Sequence, residues 1–531
     1  MNSQAMNAGL LSLLLLLTTL NASGADQCNL EAIRAMVPEN AQIDAVRPVA
    51  EPVAHCEVVG HTITRNPGPN RVEWTVMLPD ERFGGRYYFV GLGAAAGFVP
   101  TTTSTERMGS YYANTTLQLL NQGFAVAGSD TGHKGWLWDY GIGNPTARLD
   151  YAHRGAHVSA VATQAITKAY YDVDDRLYRY HLGCSGGGRM GAMAAYHHPD
   201  DYDGIVASTG FGGGAVWFPW ILQYLVENPD RWVPPHKLAL LEREVAEYCA
   251  GPDGLVRDPN ACGFDPASLQ CKGEDKANCL TTPQVDMIKR ISGRHPVGPD
   301  KTSPGFTLTN PTAWSSFLLG TTKPTSDPEN PWPEEGAPSA LRIGQSIYRG
   351  VYFDDADFNI LTDLDFDNPE HLKTLAAHHA DWGLDSYDLS GFKKAGGKLI
   401  MWAPLGENGV PPATHIEYYH KLKEVVPGTD DFVRLYLVPG VYHCGGGPGP
   451  QDTDERLLDE VIDWVEQGNR PETVVASASA RDPMPAAPGQ PPTLLPPVLS
   501  RTVLLCPYPQ RAVFDAPQGA FPFDADNWTC Q

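Results

Sequence analysis

Gly183-Cys184-Ser185-Gly186-Gly187 places a serine in a run of small residues. A serine hydroxyl is a poor nucleophile until a base takes its proton. Gly-x-Ser-x-Gly fits a turn too tight for large side chains, which points the hydroxyl outward and aims nearby backbone N–H groups at a developing oxyanion. Far along the chain His443 is followed by Cys444 and by Gly445-Gly446-Gly447. Cys184 directly precedes Ser185, and Cys444 directly follows His443. A Cys184–Cys444 disulfide would tie nucleophile to base through the backbone, and closing so long a loop is worth about 5 kcal/mol in the chain-entropy model. The chemistry these types suggest is acyl transfer, with Ser185 as nucleophile and His443 as base.

The flanking elements agree with this reading. An extended stretch, Leu177 to Leu182, enters the turn, and a helical run, Arg189 to His197, leaves it. A strand–Ser–helix junction is the nucleophile elbow of the α/β-hydrolase sheet. Strands are expected at Asn70–Pro79, Arg86–Val90 and Gly123–Ala127, with a long helix from Tyr151 to Tyr171 showing Ala156, Ala160, Val161, Ile166 and Ala169 on its apolar positions. After Ile205–Ser208 the regular pattern lapses, and it resumes with strands at Lys398–Trp402 and Val433–Val438 and helices at Tyr418–Val425 and Leu457–Glu466. This order predicts an α/β fold, a parallel-sheet hydrolase core carrying a large inserted lid domain.

In that fold the base follows the last strand and an acid that orients it follows the strand before. His443 lies just beyond 433–438. The first acid after 398–402 is Glu407, so Glu407 is the candidate third member. Asp430 and Asp431 precede the last strand, at the wrong end of the sheet, and read as solvated turn residues. The small-residue loop Gly91 to Gly97 follows an early strand, where a second oxyanion donor belongs.

The chain has 62 acidic and 39 basic residues, a net charge of −23, which excludes nucleic acid and anionic lipid as electrostatic partners. Leu10 to Leu20 is apolar and too short for a comfortable membrane span; with Asn21 to Ala25 after it, it reads as a signal peptide cleaved after Ala25, an uncleaved anchor being the other reading. Ten cysteines without a CxxC are expected to be paired in an exported chain, and zinc ligation through them is not expected. The expected segments are 1–25 signal, 26–211 core, 212–384 lid and 385–531 core. The location is then secreted or periplasmic, with no membrane contact after cleavage. Asn114-Thr115-Thr116 and Asn527-Trp528-Thr529 match the glycosylation sequon.

These pieces resemble the tannase and feruloyl esterase family over nearly all of the mature chain. The resemblance rests on Gly183 to Arg189, on Asp200-Asp201-Tyr202-Asp203-Gly204-Ile205-Val206-Ala207, on Ser129 to His133, and on His443 to Pro450. It implies Ser185, His443 and Glu407 as the catalytic set, with backbone N–H groups of Gly186 and of Gly93 or Ala94 as oxyanion donors. It implies five disulfides: Cys28–Cys56, Cys184–Cys444, Cys249–Cys262, Cys271–Cys279 and Cys506–Cys530. It implies a serine esterase for a small aromatic ester, of feruloyl or gallate type, with a terephthalate monoester or another acid as the same-class rival. A non-catalytic binding protein on a degenerate hydrolase fold is the rival from another class. Lid aromatics that could wall the acid are Trp217, Phe218, Trp220, Trp332, Tyr348 and Phe353, the other reading, and for any single one the favoured reading, being that it simply packs the lid core. The family usually has Asp at the position of Glu407. It also has a lid calcium loop rich in aspartate, which here shortens to Cys249 to Leu255 with only Asp253 clearly kept. Calcium takes roughly six to eight oxygens, so no metal or other cofactor is expected.

Overall fold

A computed structural model describes residues 28–101, 116–173, 176–211, 215–381, 385–478 and 501–531. The expected signal peptide, the Asn114 sequon, both edges of the expected lid and most of 476–499, a segment rich in Pro, Ala and Ser, lie outside the described residues.

The chain is built on one nine-stranded sheet. Its strands are β1 (Ala41–Val49), β2 (His55–Thr64), β3 (Asn70–Pro79), β4 (Arg86–Gly91), β5 (Phe124–Ser129), β6 (Tyr178–Cys184), β7 (Gly204–Ser208), β10 (Lys398–Pro404) and β11 (Val433–Val438). Their spatial order is β1-β2-β3-β5-β4-β6-β7-β10-β11. The first three strands form an antiparallel meander, and β3 meets β5 antiparallel. From β5 to β11 every pairing is parallel. Parallel strands are covered on both faces and lose their polar alternation, and β7 and β5 are accordingly buried along their whole length. The short hairpin β8 (His295–Gly298) and β9 (Lys301–Ser303) stands apart in a two-stranded sheet of its own.

Helix α1 (Gly155–Tyr170) packs on β3 and β5, and α2 (Gly186–His197) on β6 and β7. Successive side chains of a strand point to opposite faces. In β6 the His181 ring bonds the Gly187 carbonyl of α2, whereas its neighbour Tyr180 donates to Glu466 on the C-terminal helix 453–467. The nucleophile-bearing helix and the C-terminal helix therefore cover opposite faces of the sheet.

Two boundaries differ from the sequence reading. The long helix starts at Gly155, after a wide turn over Asp150–Arg154, and Val161 and Ala169 are exposed. Its buried stripe includes Ser159, Thr163 and Thr167. Their hydroxyls bond the carbonyls of Gly155, Ser159 and Thr163, so they reach the core with their polar atoms satisfied. The second helix begins at Gly186, immediately after Ser185, and its three leading glycines let its first turn pass against the backbones of Ala94, Gly91 and Ser208, where any Cβ would clash.

Between β7 and β10 the regular elements of the described chain are helices, apart from the β8–β9 hairpin, joined by long irregular stretches. Helix α3 (Trp217–Glu227), α4 (Pro235–Cys249), α5 (Thr282–Ser292), α6 (Ser339–Ile347) and α7 (Pro369–Asp381) are its main elements. The five disulfides are those implied by the resemblance, with Cα–Cα distances from 5.0 Å at Cys271–Cys279 to 5.7 Å at Cys184–Cys444 and Cys506–Cys530.

Candidate active site

Ser185 stands at the end of β6 with φ 60° and ψ −122°, a conformation that costs a residue with a Cβ of order 1–3 kcal/mol. Its surroundings hold it there. The Ser185 N–H donates to the Ser208 carbonyl at 2.9 Å and to Thr209 Oγ1 at 2.6 Å, and its carbonyl accepts from the Arg189 N–H at 2.9 Å. The end of β7 thus clamps the turn at the end of β6. Arg189 extends the clamp from α2, since its guanidinium donates to the Tyr151 and Ala152 carbonyls at 2.8 Å and lies over the Tyr151 ring.

Gly186 meets the loop after β4. A Cβ on it would lie 2.3 Å from the Ala94 carbonyl oxygen and 3.1 Å from the Ala94 nitrogen. Only glycine lets these two backbones come so close. Ala94 has φ 52°, and its carbonyl accepts from the Tyr151 hydroxyl at 3.1 Å. Gly93 bonds the Ala96 N–H at 3.2 Å through its carbonyl. The elbow and the 93–94 loop therefore form one continuous backbone surface beside Ser185.

His443 follows β11, and Glu407 follows β10, on parallel neighbours with the same polarity. His443 Nδ1 lies 2.7 Å from Glu407 Oε1. The same oxygen accepts the N–H groups of Asn408 (2.9 Å), Gly409 (2.5 Å) and Val410 (3.1 Å). Glu407 is buried to 1 % exposure, whereas the His443 side chain keeps 24 %. Gly409 lies under the imidazole, where a Cβ would sit 2.7 Å from Nδ1. Asn408 Oδ1 accepts the His443 N–H at 3.3 Å, and Asn408 Nδ2 donates to the Ala313 carbonyl at 2.8 Å. Burial opposes charging of the His443 ring, but the charge of Glu407 and its hydrogen bond prevail and raise the pKa above 6.5. The Cys184–Cys444 disulfide joins the residue before Ser185 to the residue after His443.

Asp430 takes no part in this arrangement. Its carboxylate accepts from Tyr419 at 2.5 Å and Lys423 at 2.8 Å, at the start of β11. Asp431 sits in the same short turn.

The inserted region sends one ring to the histidine. Phe317, in a wide turn over Ser315–Leu319, lies 6.0 Å from the His443 ring and 5.9 Å from Phe218. Phe218 is thus one ring removed from His443. The other expected wall residues pack elsewhere. Trp217 meets His295 and Phe306, Trp220 lies under the Arg290 guanidinium, and Trp332 donates to the Thr322 carbonyl at 2.9 Å. Tyr348 and Phe353 stack with Phe358. Phe317 was missed because one phenylalanine in Ser-Ser-Phe-Leu-Leu has no signal distinguishing it from core. Thr209 and Asn408 were missed because small polar residues in loops are common and their partners are remote in sequence.

The calcium loop expected from the resemblance has a different content. Both Asp253 oxygens are engaged by Arg257, at 2.8 and 2.7 Å, and the Arg257 guanidinium lies 3.6 Å over the Trp528 ring. Asp253 and Arg257 are both nearly fully buried as side chains. A donor set with its one retained carboxylate paired to a guanidinium does not fit calcium.

Comparison with known proteins follows the same direction. Residues 56–530 match the family model described as tannase and feruloyl esterase. An uncharacterised esterase of Xanthomonas campestris is 27% identical, covering 100% of this chain and 92% of that protein. Mono(2-hydroxyethyl) terephthalate hydrolase of Piscinibacter sakaiensis is 29% identical, covering 86% of this chain and 82% of its own. The crystal structure of feruloyl esterase B from Aspergillus oryzae superposes with a TM-score of 0.76 at 21% identity, covering 96% of this chain and 100% of that one, and so shares the fold. With the α/β-hydrolase sheet, the strained serine turn and a match running almost the length of the chain, the protein belongs to the tannase and feruloyl esterase family and is a carboxylic ester hydrolase.

Proposed function

We propose that this chain hydrolyses esters of small aromatic carboxylic acids through a covalent acyl-enzyme on Ser185. The observation that carries the reading is the Glu407–His443 hydrogen bond together with the disulfide linking the neighbours of Ser185 and His443. Glu407 holds the proton on Nδ1 and leaves Nε2 of His443 as the base. His443 takes the Ser185 proton as Oγ bonds to the ester carbonyl carbon. The oxyanion forms against the N–H of Gly186 and of Gly93 or Ala94. His443 then gives its proton to the alcohol as the ester C–O bond breaks. Water repeats the sequence, releasing the acid and restoring the serine hydroxyl.

The aromatic preference is supported by the Phe317–Phe218 pair beside His443 and by the esters for which similar proteins are named, feruloyl and mono(2-hydroxyethyl) terephthalate. Flat apolar walls with few polar groups suit such acids. Export is supported by five disulfides, which persist in oxidising compartments. Among the described residues no helix is long and apolar enough to cross a membrane. Catalysis without lid calcium is supported by the Asp253–Arg257 pair; calcium added to dialysed enzyme should change neither the melting temperature nor the rate.

The test is acid release from methyl ferulate, methyl p-coumarate, methyl gallate and mono(2-hydroxyethyl) terephthalate, with Ser185→Ala alongside. Cleavage of at least one by the wild type, abolished in the variant, is the expected result. If none is cleaved while a fluorophosphonate labels Ser185, the proposed acid class is wrong. If the folded protein is not labelled, the nucleophile assignment fails.

A further inference from the structure

Four of the chain's 16 histidines gather on the outer face of the core, away from the elements that carry Glu407 and His443. His153 lies in the wide turn before α1, and His157 follows one turn later within α1. His197 ends α2, His198 caps it, and Asp201 follows in the turn toward β7. His153 Nδ1 lies 3.0 Å from His198 Nε2. His157 Nδ1 lies 2.9 Å from Asp201 Oδ2 and 3.0 Å from Oδ1. The rings of His157 and His198 stack at 3.8 Å, and those of His153 and His197 at 4.1 Å.

The backbone fixes this arrangement. The Asp201 N–H donates to the His198 carbonyl at 3.0 Å, and the Asp201 carbonyl accepts from Gln164 on α1 at 2.9 Å. Asp201 is 7 % exposed, while the His157 side chain retains 32 %. One side of the cluster is therefore built into the protein and the other is open to solvent. One ligating atom each from His157, His198 and Asp201 lies within 4.8 Å of the other two. Donors around a tetrahedral zinc ion stand about 3.4 Å apart, given metal–ligand lengths of about 2.0–2.2 Å. Ring rotations about the existing backbone close that difference.

We infer that His157, His198 and Asp201 form a surface site for a divalent transition ion of the zinc class, bridging α1 to the end of α2, the helix that begins just after Ser185. Two imidazoles and one carboxylate suit zinc, nickel, cobalt or copper, whereas calcium and magnesium prefer oxygen alone. The open side admits water as the remaining ligand. His153 is the alternative partner that His198 keeps when no ion is bound. The ion joins two helices that are otherwise connected here through side-chain contacts, so binding stabilises the fold and does not enter the reaction.

The test uses the full mature chain without a histidine tag, stripped with a chelator and dialysed. Isothermal titration with zinc chloride should show one saturable site per chain and a raised melting temperature, and calcium chloride should show neither. His198→Ala should weaken zinc binding by at least about 100-fold, the upper end of what loss of a mere outer-shell partner costs. Asp201→Asn, which keeps an acceptor for His157, serves if His198→Ala unfolds, and circular dichroism reports that. Cobalt(II) should give a visible absorption band in the wild type that both variants lose. The absence of saturable binding, or binding of equal strength in both folded variants, would overturn the assignment.

Discussion

Replacing Glu407 by Gln separates two roles that an acid plays beside a catalytic histidine, holding its tautomer and stabilising its charge. In this protein the two come apart for a structural reason. Oε1 accepts three backbone N–H groups in addition to His443 Nδ1. A glutamine must therefore place its oxygen there, since an NH2 group would face four donors. The other oxygen, Oε2, is buried and has no hydrogen-bond partner among the described residues, so an NH2 at its place breaks no existing bond. His443 keeps its Nδ1 proton, and only the charge is lost. Exchanging a charge-assisted for a neutral hydrogen bond costs about 1–2 kcal/mol. The lost attraction between imidazolium and carboxylate at an effective dielectric of about 20 sets a ceiling of about 4 kcal/mol. The expected loss in kcat is roughly 5- to 30-fold, with a ceiling of about 1,000-fold. Where an amide forces the wrong tautomer, the loss reaches about 10⁴-fold.

A pH profile supplies an independent readout. His443 must be neutral to accept the serine proton, and its pKa is raised above 6.5 because Glu407 outweighs burial. The wild-type rate should therefore fall as pH drops through a value above 6.5. In Glu407→Gln the raising causes are gone and burial remains, so the acid limb moves to lower pH. The assay is kcat/KM on the best ester of the panel between pH 5 and 9. Wild-type rate with an unmoved limb would falsify Glu407 as the acid. A loss near 10⁴-fold would show that the three N–H groups do not select the oxygen.

Three further outcomes follow from the geometry. Cys184→Ser with Cys444→Ser opens a link between residues 260 apart, so unfolding should become easier by up to about 5 kcal/mol in chemical denaturation, with kcat down about 100-fold from displacement of the base. Phe317→Ala removes the ring 6.0 Å from His443 and should lower kcat/KM for aromatic esters roughly 10-fold, chiefly through KM, while leaving a short aliphatic ester less affected. Asp454, half-buried and accepting from Trp402 Nε1 at 3.0 Å, has its pKa pushed up by desolvation from 3.8 to about 7. Between those values the folded chain holds a proton that the unfolded chain has lost, so stability falls as pH rises across that window; Asp454→Asn should therefore gain about 2–4 kcal/mol near pH 8 and nothing near pH 3, read from urea melts.

Much of the site was legible because its chemistry is written in local patterns. A serine among glycines at a strand–helix junction, and a histidine just past the last strand, need no knowledge of distant contacts. Other features have no local signature. Val161 and Ala169 look like core residues in α1 and are exposed, while Ser159, Thr163 and Thr167 look like surface residues and are buried. The cause is that a helical hydroxyl can be satisfied by the carbonyl one turn back, so hydropathy misplaces it. The lid aromatics are a similar case. Ring type shows that an inserted region can bury aromatics, but only packing shows that Phe317 faces the histidine while Trp217, Trp220 and Trp332 pack elsewhere. Arg257 is a third case, because an arginine four residues after Asp253 reads as an ordinary surface pair until Trp528, at the other end of the chain, covers it.

The departure from Asp to Glu at 407 leaves the outcome open on resemblance alone, and the loop explains it. Asn408, Gly409 and Val410 fold back so that their N–H groups converge on Oε1, and Gly409 admits the imidazole with no side chain between. The loop is shaped to the reach of a glutamate. Glu407→Asp retains the charge and installs the residue that the sequence resemblance leads one to expect, yet it draws the carboxylate back by about 1.5 Å, one C–C bond. The 2.7 Å contact with His443 would then open beyond hydrogen-bond range unless the loop moves. A displacement of that size costs about 100-fold in rate. The expected result is an enzyme impaired in kcat, with its acid limb shifted down because the carboxylate is further from the ring. Full activity in Glu407→Asp would show that the loop follows the side chain and that its backbone N–H groups do not set the position of the acid.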